Sequence, residues 1–202
     1  MTAPQPEHSG PGRPRGFDLD AAIEAGVAMF RAKGFEATSL DALTEAMGIS
    51  RSSFYAAFGS KHGVLVAALE RYSDARIAAL ESIAGGPDPI PGMMRALSGA
   101  DAGAHGCLMV NCIAELCPRD AKVAALSARH LERIEAIFAR ALGRDGFGHD
   151  GFGTDAQDTV APRARALIAL ALGVLTLRKA GQPPPGIDAV LDLATPLIAT
   201  PN

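Results

Sequence analysis

Tryptophan is absent from this 202-residue chain, tyrosine occurs twice, and aromatic residues make up only 5%. The β-branched and aromatic runs that build sheets are scarce, while Ala and Leu dominate a hydrophobic fraction of 48%. That balance predicts an all-α protein with apolar side chain enough for a large core, as one domain or two small ones. Cys107, Cys112 and Cys117 are too few, and odd in number, for a disulfide scaffold; they point to a reducing cytoplasm. No apolar run reads as long enough to span a bilayer, and the start lacks the charged-then-apolar pattern of a secretory signal, so no membrane association is expected. Positive charge is not in excess either. The formal net charge is −3, and residues 1–62 carry six Lys/Arg against seven Asp/Glu. Any affinity for nucleic acid must come from the placement of a few cations rather than from bulk charge.

What is present is punctuation. Residues 1–16 are rich in Pro, Gly, Ser and Arg, bury almost nothing, and read as a disordered arm. A first helix follows, with Leu19, Ile23, Val27 and Phe30 at helical spacing and Gly34 as its stop. Thr38 or Ser39 caps a second helix that ends at Gly48. Ser50 caps a third that ends at Gly59, and Ser60 caps a long fourth over residues 61–83. The remaining expectations are a short fifth helix at 93–97, a sixth at 107–116 and a seventh at 120–142. An eighth starts near Pro162, and a ninth spans 187–198 with Pro196 fraying its end. The Asp- and Gly-rich stretch 145–155 lacks the spacing and bidentate Glu of a calcium loop and reads as a plain loop. No metal and no cofactor is expected.

The stretch from Thr38 to Leu65 carries the chemistry. Two short helices joined by Gly48-Ile49-Ser50 cannot pack parallel, so they cross steeply as a helix-turn-helix. With Phe54 and Phe58 turned inward, Arg51, Ser52, Ser53 and Tyr55 face outward near the start of the third helix. Those are the positions that reach base edges and phosphates in a major groove. Arg51 suits a bidentate pair with guanine or a grip on phosphate; the Ser and Tyr hydroxyls suit phosphate oxygens. Lys61 opens the fourth helix, where a cation and a positive dipole end coincide.

Order, spacing and residue type over residues 17–66 resemble the signature of TetR-family repressors. That resemblance implies a homodimer, a helical C-terminal effector domain and a palindromic double-stranded DNA operator. It implies phosphate contacts at Thr38, Tyr55 and Lys61 and base reading at Arg51, Ser52 and Ser53. The expected division is an arm at 1–16, a DNA-binding domain at 17–62, and a ligand-binding and dimerisation domain at 63–202. Within the arm, Gly12-Arg13-Pro14-Arg15 resembles the core of an AT-hook, and Arg13 and Arg15 are expected to reach the minor groove.

In the second half, Gly106-Cys107 followed by Asn111 and Glu115 resembles a segment in one branch of the family. Asn111 and Glu115 are four apart and share a face; a satisfied core hydrogen bond and a ligand contact are both open readings. His130 lies on the apolar stripe of the seventh helix and reads first as a satisfied core histidine. The expected effector pocket draws on Met94, Leu97, Asn111, Cys112, Glu115, His130 and Phe138. Successive cysteines lie about 140° apart around a helix, so they do not converge on a metal. Cys107 follows His105 near a helix N-terminus, surroundings that suit a reactive thiol, and some relatives sense oxidants that way. The eighth helix is apolar nearly all round, and in the family the last two helices pair with their copies. A homodimer through both is therefore expected. A small enzyme with a cysteine nucleophile is the rival class, but the five histidines are scattered and no catalytic triad spacing occurs. A ligand-binding dimer without DNA affinity would also fit the acidic balance.

Overall fold

The computed structural model describes residues 17–99, 105–144 and 156–199. Among them the chain is all-α: α1 (Leu19–Lys33), α2 (Leu40–Met47), α3 (Arg51–Phe58), α4 (Lys61–Ala84), α5 (Pro89–Leu97), α6 (Leu108–Leu116), α7 (Ala121–Arg144), α8 (Ala156–Lys179) and α9 (Pro184–Ala199). The caps lie where side-chain chemistry puts them. Asp18, Ser39, Ser50 and Ser60 each accept amide hydrogen bonds from the first turn of α1, α2, α3 and α4.

Three expected boundaries move, each at a proline. Helix α5 begins at Pro89, four residues before the expected 93, because a proline in the first turn has no amide to lose. Helix α9 starts at Pro184 for the same reason and continues through Pro196. Helix α8 starts at Ala156 rather than near Pro162, so Pro162 lies inside it and forfeits one ladder bond. The expectation that no apolar run is long enough to cross a membrane is also corrected. Val160–Lys179, with mean hydropathy 1.6, suffices by length and composition. Its apolar side chains serve a core instead: Ala164, Leu167, Ile168, Ala171 and Val174 are buried, and α8 packs on α5, α7 and α9.

The buried side chains form two clusters. One joins α1–α4 to α6 and the start of α7: Phe30, Leu43, Phe54, Leu65 and Leu69 pack with Leu108, Met109, Cys112, Leu116 and Val123. The other lies in the second half, where Leu80, Met93, Met94, Phe138, Leu142 and Leu167 meet Ile187 and Leu191. Helix α4 contributes to both. The packing therefore does not divide at residues 62 and 63, where function was expected to divide.

His130 is buried between the halves of this frame, with Nδ1 2.8 Å from Ser73 Oγ. Burial, then the charges of Arg133 and Arg76, push its pKa down to about 4. The unfolded chain takes up that proton near the ordinary value of about 6.5. Between those two values the unfolded state binds more protons. The stability is therefore complete at neutral pH and is lost as pH falls towards 4. At about pH 5 this group alone lowers wild-type stability by about 2 kcal/mol relative to neutral pH. Urea unfolding of His130→Asn at both pH values should show a correspondingly smaller acid loss, and an undiminished loss would contradict the assignment.

Candidate nucleic-acid interface and the cleft behind it

The turn between α2 and α3 is built as its sequence requires. Gly48 adopts φ 63°, ψ 32°, a left-handed conformation open to glycine, and its amide closes on Glu45 and Thr44. Ile49 then packs against the core and Ser50 starts α3. Phe54 is fully buried, with Phe58 packed beside it at 5.7 Å between ring centroids. That anchoring turns Arg51, Ser52 and Tyr55 outward; Tyr55 is 53% exposed and Ser53 is half-buried. The Ser50 hydroxyl lies within 3.0 Å of both the Ser52 and the Ser53 hydroxyls. The Arg51 guanidinium leans back on Asp41 of α2. Asp41 was missed at the sequence stage, since a residue ten positions away meets Arg51 only once the helices cross.

Tyr55 and Lys61 come together with Thr38 and Ser60 along one groove of about 430 Å³. Thr38 sits in it differently from what the resemblance implies. Its side chain is 0% exposed, its hydroxyl donates to the Gly34 carbonyl at 2.6 Å, and its amide donates to Phe35. Both its donors are therefore spent on the turn that joins α1 to α2, which corrects the expectation of a phosphate contact from this side chain. Lys61 Nζ donates to the carbonyls of Phe35 at 2.9 Å and Thr38 at 3.0 Å and lies 4.2 Å from the centre of the Phe35 ring. An ammonium has three N–H donors, so one remains to offer a phosphate. Arg13 and Arg15 lie outside the described residues.

The expected effector residues do not form one pocket. Met94 and Phe138 are core side chains of the second cluster. Leu97 lines a cavity of about 200 Å³ with Tyr72, Arg76 and Cys107. His130 lines another, of about 330 Å³, with Ser73 and Arg133. Cys112 is buried in the first cluster, and burial, followed by the neighbouring Glu115 charge, pushes its thiol up to about 12. It is a small hydrophobe and not a ligand contact. Helical spacing identifies a shared face but says nothing about which neighbour covers it, which is why residues from three places were grouped together.

Asn111 and Glu115 do share a site, a cleft of about 650 Å³ between the end of α1, α6 and the end of α8. Glu115 reaches from α6 to the turn after α1, where its carboxylate accepts the amides of Phe35 at 3.1 Å and Glu36 at 2.9 Å. Gly34 allows the approach: its φ is +80°, and a Cβ there would lie 3.2 Å from Glu115 Oε2. Asn111 donates to the His105 carbonyl and accepts from Lys179 Nζ at 2.7 Å. Arg31 of α1 donates to the Gly106 carbonyl through Nε and Nη2. Cys107 lines the same cleft and accepts from the Tyr72 hydroxyl at 3.3 Å; burial, then the thiol, raise that phenol's pKa.

Two further polar ties join the same region. Arg119 meets Glu36 at 3.1 Å, and His62 at the start of α4 meets Asp120, which caps α7, at 2.7 Å. The Val123 amide, then the His62 ring, hold the Asp120 carboxyl below its ordinary range. Among the described residues no group of three or more His, Cys, Asp or Glu is placed to hold a metal.

Comparison with known proteins agrees with this geometry. A profile described as "Bacterial regulatory proteins, tetR family" matches residues 22–68. The chain is 47% identical over 62 residues to the HTH-type transcriptional repressor BdcR of Escherichia coli (strain K12), covering 31% of this chain and 32% of that protein. It is 46% identical over 63 residues to the repressor ComR of the same organism, covering 31% and 30%. The match thus spans about a third of these curated relatives. Over most of its length it is similar to a solved structure of the TetR-family transcriptional regulator CifR. That structure is a cysteine mutant complexed with 26-bp double-strand operator DNA, with 30% identity, 91% of this chain and 98% of that chain covered, and a TM-score of 0.73. The reduced form of E. coli NemR has the same fold, at 24% identity, 91% and 98% coverage and a TM-score of 0.74. With its helix-turn-helix, its all-helical second half and this likeness over nine-tenths of its length, the chain belongs to the TetR family of transcriptional regulators.

Proposed function

We propose that this regulator is a cytoplasmic repressor that binds a palindromic operator as a homodimer and releases it when a small-molecule effector binds. In this reading residues 17–62 read DNA and the remainder binds effector and dimerises. The observation that carries the reading is the grip of Glu115 on the turn after α1. It makes the helix-turn-helix mechanically continuous with α6, which lines the largest of the cavities described above. Binding there has a short path to the DNA-reading surface, and an effector shifts the equilibrium by its differential affinity for the two arrangements. Helices α8 and α9 support the homodimer. Leu193 is 70% exposed, and Leu177 and Val190 are exposed beside it. In one copy only a third of the apolar stretch Val160–Lys179 is buried. An apolar face of that kind marks an interaction surface.

On the DNA side, Tyr55→Phe removes one hydrogen bond to a charged oxygen and should weaken binding to every sequence alike, by about tenfold. Arg51→Ala should lose about 1–3 kcal/mol on the preferred operator and less on scrambled DNA, relaxing preference at one base pair. Fluorescence anisotropy on both duplexes separates the cases, and equal loss for Arg51→Ala would reassign it to phosphate.

On the interface side, Leu193→Asp places a charge in the apolar face and should convert the dimer to a monomer at micromolar concentration while leaving helical content intact. Light scattering reads the outcome. A wild-type monomer, or a variant that still dimerises, would contradict pairing through α9.

A further inference from the structure

The cleft between α1, α6 and α8 has an uneven chemistry. One wall is apolar, formed by Val110 and Ala114 of α6 and Leu175 of α8. The other carries three cations, Arg31, Lys33 and Lys179, against two carboxylates, Glu36 and Glu115. Both carboxylates are already engaged: Glu36 by Arg119, Glu115 by two backbone amides. Lys179 meets only a neutral acceptor, the amide oxygen of Asn111. A neutral amide leaves the lysine charge uncompensated, and a carboxylate in its place would gain a charge-assisted bond. At about 650 Å³ the space falls within the range of sites for small organic ligands, which combine apolar walls with a few fixed polar groups.

We propose that this cleft binds a small organic anion with an apolar body. Its carboxylate is taken by the Lys179 ammonium and the Asn111 side-chain amide. Its body lies on Val110, Ala114 and Leu175. The site assignment stands on the cleft alone, while its consequence rests on the reading of the chain as an effector-released repressor. A negative charge bound beside Glu115 repels the carboxylate that holds the Phe35 and Glu36 amides. It also occupies the Lys179 charge that otherwise faces α6. Both effects loosen the hold of α6 on the turn after α1.

The test is calorimetric titration of the full chain with naphthoate and decanoate, alongside their uncharged counterparts naphthamide and decanol. At least one acid should bind, its uncharged counterpart should bind about tenfold more weakly or worse, and added salt should weaken the acid alone. Lys179→Met should cut acid binding about tenfold, and Lys179→Arg, which keeps the charge, should restore most of it. Equal binding of an acid and its counterpart, no binding by either acid, or acid binding untouched in Lys179→Met would each overturn the site. Operator affinity is then measured with saturating acid. A fall supports release. Unchanged affinity with Lys179-dependent binding leaves the site standing and refutes the effector-release reading.

Discussion

The turn that joins α1 to α2 is held by opposite charges from opposite sides, and the arrangement of the DNA-reading surface depends on it. A tight turn presents both unpaired carbonyls and unpaired amides, and a single side chain cannot satisfy both. Lys61 takes the carbonyls of Phe35 and Thr38, while Glu115 takes the amides of Phe35 and Glu36. Buried or half-buried backbone groups left without such partners cost free energy comparable to a lost hydrogen bond each. The lysine comes from the helix that follows α3, and the glutamate comes from the second half of the chain. The turn therefore fixes α2 and α3 relative to α4 and α6 at once. Gly34 is the residue that makes the second grip possible, through its positive φ and its bare Cα facing Glu115.

The packing repeats the same connection in apolar form. Helix α6 and the first turns of α7 share a core with α1–α4, so the nominal DNA-binding half does not close its own core without them. Helix α4 runs from that core into the second one. Motion in the second half thus reaches the helix-turn-helix by two routes, the rigid length of α4 and the polar junction at α6. Gly63 marks how tightly the start of α4 is wound against α3: a Cβ there would overlap the Phe58 carbonyl oxygen. The His62–Asp120 pair ties the same first turn of α4 to the cap of α7.

Local structure was legible in the sequence because it is written in local chemistry. Ser39, Ser50 and Ser60 announce helix starts, Gly34, Gly48 and Gly59 announce stops, and Phe54 with Phe58 decides which face of α3 is left for DNA. The prolines misled where they were taken only as breaks: Pro89 and Pro184 begin helices, and Pro162 and Pro196 lie inside them. The polar junction was not legible, because its partners are about 80 residues apart and periodicity names a face without naming what meets it. Glu115 and Asn111 were singled out for the right reason, polar groups on an apolar helix, but Glu115 proved to hold backbone rather than ligand. Lys61 and Thr38 were expected as phosphate contacts. The structure gives Thr38 wholly, and Lys61 in part, to the turn.

The central claim is that the Glu115 carboxylate transmits the state of α6 to the helix-turn-helix through the turn after α1. Glu115→Gln keeps the shape but removes the charge and replaces one acceptor with a donor, so it cannot hold both amides. Hydrogen exchange on wild type and variant tests the claim at the atoms concerned. The account predicts faster exchange at Phe35 and Glu36, extending into α2 and α3, with α8 and α9 unchanged. Unchanged protection at Phe35 and Glu36, or loosening confined to them with α2 and α3 untouched, would contradict it.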